Sequence, residues 1–141
     1  MINKRGKQKY RGKGRINKRD KKFSVLLVNI RGLRSKEVSL KKVLNEVKPS
    51  VVTINETQLT GRMKVNLENF ICWSKNRSEK GGGGVATAVS EIYKDSTLGV
   101  GEGKENDEYL ITRFDNFYPA LNIINCYGEQ RKTRIQEIES I

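Results

Sequence analysis

The sequence has no histidine, so no imidazole can serve it as base, acid or metal ligand. It has only two cysteines, Cys72 and Cys126, and they lack Cys-x-x-Cys spacing. Both sit in apolar, strand-like runs, where a reduced and buried thiol is the ordinary explanation and an intracellular setting follows. No apolar run approaches the length of a membrane span. The short run from Phe23 to Ile30 carries a polar Asn29 and is followed by no small-residue cleavage site, so it is not expected to be a secretory signal. With 141 residues, 35% of them hydrophobic, the chain can bury one modest core and not two.

What the sequence has in excess is positive charge, with 28 Lys and Arg against 16 Asp and Glu for a balance of +12. Most of it is at one end. Residues 1–22 hold Lys4, Arg5, Lys7, Lys9, Arg11, Lys13, Arg15, Lys18, Arg19, Lys21 and Lys22 against the single acid Asp20, which leaves only +2 for the rest. Phe23 therefore divides a basic tail from a domain spanning 23–141. The tail has few large apolar groups (Ile2, Tyr10 and Ile16 beyond Met1) and is expected to be disordered alone. Such a run binds phosphates with steep salt dependence, or serves as a nuclear import address, or only solubilises the chain.

Within the domain, Phe23 to Ile30 is apolar on both faces, as a buried central strand would be, and Arg31-Gly32-Leu33 breaks it. Ser35 is placed to cap a helix in which Val38, Leu40, Val43, Leu44 and Val47 recur at roughly helical spacing until Pro49. Val51 to Ile54 then reads as a second buried strand, and strand–helix–strand order implies a parallel pair with a right-handed crossover. Chemistry in such sheets lies at the carboxyl ends of the strands, where Asn29 and Glu56 would emerge on one edge. Phe70 to Ser74 reads as a strand and Lys75 to Lys80 as a polar turn. Val85 to Val89 alternates, with Val85, Thr87 and Val89 on one face and two alanines on the other. Glu108 to Phe114 and Ala120 to Tyr127 read as a hairpin joined around Asp115-Asn116, and from Arg131 the residues Ile135, Ile138 and Ile141 begin a helix.

Few positions carry chemistry. Glu56, just after a buried strand, can hold a magnesium ion, which takes one or two protein carboxylates and fills its octahedron with water and phosphate. An ordinary exposed loop glutamate would look the same. Asn29 is suited to orient that metal or a phosphate, or equally to start a turn. Tyr127 can donate its phenol proton to a phosphoryl oxygen, or cap the sheet with a wet hydroxyl. The run Gly81 to Gly84 precedes a strand and lacks Gly-Lys-Ser/Thr, so it is not a phosphate loop; a flexible start that lets one strand pack tightly is the better reading.

Their order is more specific than any one of them. A strand ending in Asn-Ile-Arg-Gly-Leu, a helix, a Val-Val-Thr-Ile-Asn-Glu-Thr strand, then Gly-Gly-Gly-Val-Ala-Thr-Ala-Val and a strand ending in Asn-Cys-Tyr-Gly resembles the endonuclease/exonuclease/phosphatase family. The likeness runs from Phe23 to about Ile141 and looks closest to the apurinic-type endonuclease domains of non-LTR retrotransposons. It implies an α/β fold, the amino-terminal half of a four-layered α/β sandwich. The activity it implies is metal-dependent phosphodiester hydrolysis with Mg2+ or Mn2+, most simply DNA nicking. Asn29 and Glu56 would stand at the metal, and Asn29 and Tyr127 would be catalytic. Phosphatases and nucleases of RNA or abasic sites share these early motifs, and a noncatalytic protein binding DNA through its tail is a separate alternative.

The departures from the family pattern lead to further expectations. Relatives continue to a Gly-Asp-x-Asn motif and a Ser-Asp-His motif, and neither is found here. Asp115-Asn116 precedes Tyr127 and reads as turn chemistry. The stretch is therefore expected to be inactive alone, to need the missing carboxyl-terminal half, to lack most of its second sheet, and to expose the face of the first sheet that should pack there.

Overall fold

A computed structural model describes residues 22–77, 82–102 and 108–128. The basic tail from Lys4 to Lys21 and the helix expected from Arg131 lie outside the described residues.

The chain forms β1 (Val25–Asn29), α1 (Leu33–Val47), β2 (Val51–Asn55), β3 (Phe70–Lys75), β4 (Val85–Ser90), a 3-10 turn (Glu91–Ser96), β5 (Thr97–Glu102), β6 (Tyr109–Phe114) and β7 (Leu121–Cys126). The first sheet has the order β1-β2-β4-β3 and the second β5-β6-β7. β1 and β2 are parallel, with Val25 opposite Val51 and Asn29 opposite Asn55, as strand–helix–strand order requires. The other strand pairings among the described residues are antiparallel. Among the described residues the layers are helix, four-stranded sheet and three-stranded sheet, a mixed α/β architecture.

The two faces of β2 and β4 account for both cores. On the helix side, Leu33, Leu40 and Leu44 join Val52, Ile54, Ala86 and Ala88, closed below by Leu59, Val65 and Leu67 from the loop after β2. On the other side, Val51 and Val89 meet Phe114, ringed by Phe23, Trp73, Tyr93, Phe117, Leu121 and Ile123. The alternation of β4 is thus explained: valines and threonine face the second sheet, while the alanines face the helix.

The structure corrects four expectations. Among the described residues β1 is an edge strand, not a central one, and its Val25 and Leu27 stand 50% and 70% exposed, with no described strand of the second sheet over them. Over β2 and β4 a second sheet is present and covers the first: every residue of β4 is buried, while β3 stays half-buried. A 3-10 turn and β5 were not foreseen, since the Thr-Leu-Gly-Val-Gly-Glu segment has two glycines in place of branched side chains. Cys126 points outward and is exposed, while Cys72 is half-buried; both are free thiols.

The helix starts earlier than its sequence suggests. Gly32 occupies the cap position without a side-chain hydrogen bond, and Ser35 lies inside the first turn, its hydroxyl donating to the Gly32 carbonyl at 3.3 Å. Lys48, in the left-handed region, ends the helix just before Pro49. Only the stripe Leu33, Leu40, Leu44 faces the sheet, so Val38, Val43 and Val47 point to water although they share the apparent periodicity. We expect Val38→Lys, at a position 84% exposed, to change stability by less than about 0.5 kcal/mol, whereas Leu40→Ala costs about 3 kcal/mol. Urea denaturation of the two variants checks this.

Candidate functional site

Parallel pairing places the carboxyl ends of β1 and β2 side by side, and the backbone continues the pairing beyond them. Ile30 N–H donates to the Asn55 carbonyl, Gly32 N–H to Glu56 and Leu33 N–H to Thr57, each at 2.9–3.0 Å. The turn is tight: Arg31, Glu56 and Gln58 all have positive φ, of 47°, 54° and 55°. Left-handed backbone at three non-glycine residues costs on the order of 1 kcal/mol each and persists only where the surroundings enforce it.

Here the enforcement comes from the glycine run. Thr57 N–H donates to the Gly84 carbonyl at 3.2 Å and Gln58 N–H to Gly83 at 2.9 Å. Gly82, Gly83 and Gly84 all have positive φ, and a Cβ on Gly84 would lie 2.4 Å from the Thr57 hydroxyl oxygen. The tight-packing reading of this run is the one the geometry supports; Gly81 lies outside the described residues.

Asn29 at the end of β1, Glu56 just after β2 and Tyr127 just after β7 converge at this turn. The Asn29 amide Nδ2 donates to Glu56 Oε1 at 2.9 Å. The Tyr127 side chain, arriving from the end of β7, stands close enough to the same carboxylate to influence its ionisation. The Arg31 guanidinium lies 4.0 Å from Glu56 Oε2, with Arg31 largely in solvent and the Glu56 side chain one-fifth exposed. The Asn29 hydrogen bond, more than any other influence, holds the Glu56 carboxyl below the usual carboxylate range; burial opposes it as the next largest effect, and Tyr127 and the charges of Arg31 and Lys36 act with Asn29. Tyr127 is pushed above the ordinary phenol value, first by burial and then by the charge of Glu56. The group is therefore an ionised carboxylate beside two neutral hydrogen-bond donors, at the rim where the two sheets meet.

That donor set fits a magnesium-like ion. A hard cation needs one or two carboxylates and takes water and phosphate oxygens for the rest, and Glu56 is ionised, solvent-reachable and held in orientation. Among the described residues no group of three or more His, Cys, Asp or Glu side chains stands together, so a dedicated all-protein cage is not what they form. A hollow lined by Leu44, Lys48, Phe70, Ser90 and Ile92 lies at the opposite end of the first sheet from Glu56.

Asn29, Glu56 and Tyr127 are thus brought together, while the basic residues from Lys4 to Arg19 lie outside the described residues. The sequence reading passed over four residues around this turn. Asn55 donates to the Cys126 carbonyl at 3.4 Å, and Asn125 donates to the Ile54 and Ala86 carbonyls at 3.3 and 2.7 Å; both tie β7 to the first sheet. Arg77 and Glu108 form a paired contact under the glycine run. The available signal was polarity inside apolar strands at Asn55 and Asn125. Arg77 and Glu108 carried none, being charged residues in or next to turns. No helix among the described residues is long and apolar enough to cross a membrane.

No family model and no curated protein matches the sequence. Solved structures do. The AP endonuclease LMAP from Leishmania major matches with a TM-score of 0.65 at 16% identity, covering 83% of this chain and 43% of that one. A 3' phosphatase from Neisseria, NExo, solved bound to a product DNA hairpin, matches with a TM-score of 0.58 at 14% identity, over 84% of this chain and 48% of its own. The endonuclease domain of TRAS1, a telomere-specific non-LTR retrotransposon, matches with a TM-score of 0.56 at 14% identity, over 83% and 51%. At these identities the likeness establishes the fold, which is that of the AP endonucleases. The chain spans about half the length of the structures it matches.

Proposed function

We propose that this protein supplies the Glu56 side of a metal-dependent phosphodiesterase site that acts on nucleic acid, with DNA as the substrate, and that Asn29, Glu56 and Tyr127 carry its chemistry. The observation behind this reading is the convergence of an amide and a phenol on one ionised carboxylate at the carboxyl ends of a parallel strand pair. The order of the motifs and the likeness to a retrotransposon endonuclease domain favour DNA nicking in particular. The same residues would serve a phosphatase, and the likeness to a 3' phosphatase keeps that as the second reading.

Each side chain has a separate task. Glu56 would hold Mg2+ or Mn2+, and the bound ion supplies charge neutralisation at the phosphate and at the leaving oxygen. Asn29 keeps the carboxylate ionised and fixed in direction by donating to Oε1. Tyr127 turns a neutral O–H toward the same place, where a phosphoryl oxygen would accept it. The basic tail would add affinity for the polyanion without sequence preference, and an import role would place the protein in the nucleus.

Mn2+ binding, followed by the relaxation of water protons, tests the assignment. Glu56→Gln keeps the shape and the acceptor but removes the charge, and should weaken binding by about tenfold or more. Equal affinity in the variant would remove Glu56 from the site. In any preparation that nicks supercoiled DNA, Glu56→Ala should abolish the metal-dependent part of that activity.

A further inference from the structure

We propose that Arg77 and Glu108 are positioning residues for the Glu56–Tyr127 pair, acting through the glycine bend and not by touching substrate; the proposal rests on the reading of that pair as the site.

Glu108 sits just before β6 and is the junction. Its Oε1 accepts from Arg77 Nε at 2.6 Å and from the Gly84 N–H at 2.9 Å, while Oε2 accepts from Arg77 Nη2 at 2.9 Å. This is a two-pronged guanidinium–carboxylate contact with a backbone amide as third donor, a geometry that fixes the angle of the groups as well as their distance. Its side chains are 31% and 11% exposed, so water screens it only in part.

Two connections lead from this junction to the site. Through its carboxylate, Glu108 holds Gly84 and the adjoining Gly83, whose carbonyls accept from Thr57 and Gln58, the two residues after Glu56. Through its own carbonyl, Glu108 accepts from the Tyr127 N–H at 2.9 Å. A third tie runs from Arg77, which forms an isolated bridge with Thr60 in the loop after Glu56. One residue thus ties the backbone beside both Glu56 and Tyr127, although these come from different sheets. The bend must be glycine for this to work: a Cβ on Gly83 would lie 2.4 Å from both Arg77 Nε and Glu108 Oε1. Arg77 and Glu108 belong to neither apolar cluster, so their arrangement is separable from the core.

Amide hydrogen exchange of the full chain separates positioning from general stability. In Glu108→Gln the amides of Thr57, Gln58 and Tyr127 should exchange about tenfold faster or more, while those of Val52 and Ala88 in the strand cores keep their rates. Arg77→Lys keeps the charge but loses the fork, and should give the same pattern at smaller amplitude; it also carries the test if Glu108→Gln does not fold. Uniform acceleration at every amide, or no change at Thr57 and Tyr127, would overturn the proposal. Mn2+ affinity is measured beside it. A wild-type chain that binds no Mn2+ would sink the metal-site reading, while the exchange pattern would still decide whether the ion pair holds the turn.

Discussion

Gly84→Ala should cost about 3 kcal/mol or more in stability, read as a lower urea midpoint with unchanged slope. Two effects add. The residue has a φ of 85°, where an alanine is strained, and its Cβ would lie 2.4 Å from the hydroxyl oxygen of Thr57, which is itself fully buried and cannot swing away. Gly61 is the control. It also has positive φ, of 57°, but nothing lies within 4 Å of its added Cβ, so Gly61→Ala should cost only about 1 kcal/mol. If both variants lost the same stability, close packing on Thr57 would not be what requires glycine at Gly84. Because the Gly84 carbonyl also accepts from Thr57, the variant should disturb the turn that carries Glu56 before it disturbs the strands.

The second large effect is expected at Phe114, the largest fully buried side chain. It stacks on Phe117 at 5.6 Å between ring centroids and meets Phe23 and Tyr93 edge-on at 5.4 and 6.3 Å. Phe114→Ala would empty the centre of the only apolar cluster that joins the two sheets among the described residues, at a cost of about 4 kcal/mol. Phe114→Leu, which refills much of the volume, should recover more than half of that loss. An alanine variant as stable as the parent would mean that the sheets are held together some other way. Loss of this cluster should also separate Tyr127 from Glu56, since each belongs to a different sheet.

Where local pattern and tertiary environment agree, the fold could be read from the sequence. β2 is apolar on both faces and is buried on both; β4 alternates and packs differently on its two sides; β6 and β7 pair as the turn residues between them indicate. The first strand misled because Val25 and Leu27 are as apolar as Leu26 and Val28, yet only the latter two are covered. The helix misled likewise, since Val38, Val43 and Val47 fit a helical period while the sheet meets only the leucines. Apolarity reports what a residue tolerates, and the neighbouring layer decides which face is used. For the site, Asn29 and Glu56 were legible because strand–helix–strand order alone brings two strand ends together. Arg77 and Glu108 were not, because their partnership spans 31 residues and depends on a bend that only glycines allow.

The hydrogen bonds from Asn55 to Cys126 and from Asn125 to Ile54 each bridge 71 positions of sequence. Contacts of that span close a long loop and gain nothing until both ends are ordered. The carboxylate adjoins the first sheet and the phenol the second, so they stand together only when the two sheets are docked. Assembly of the constellation and docking of the two sheets are one event.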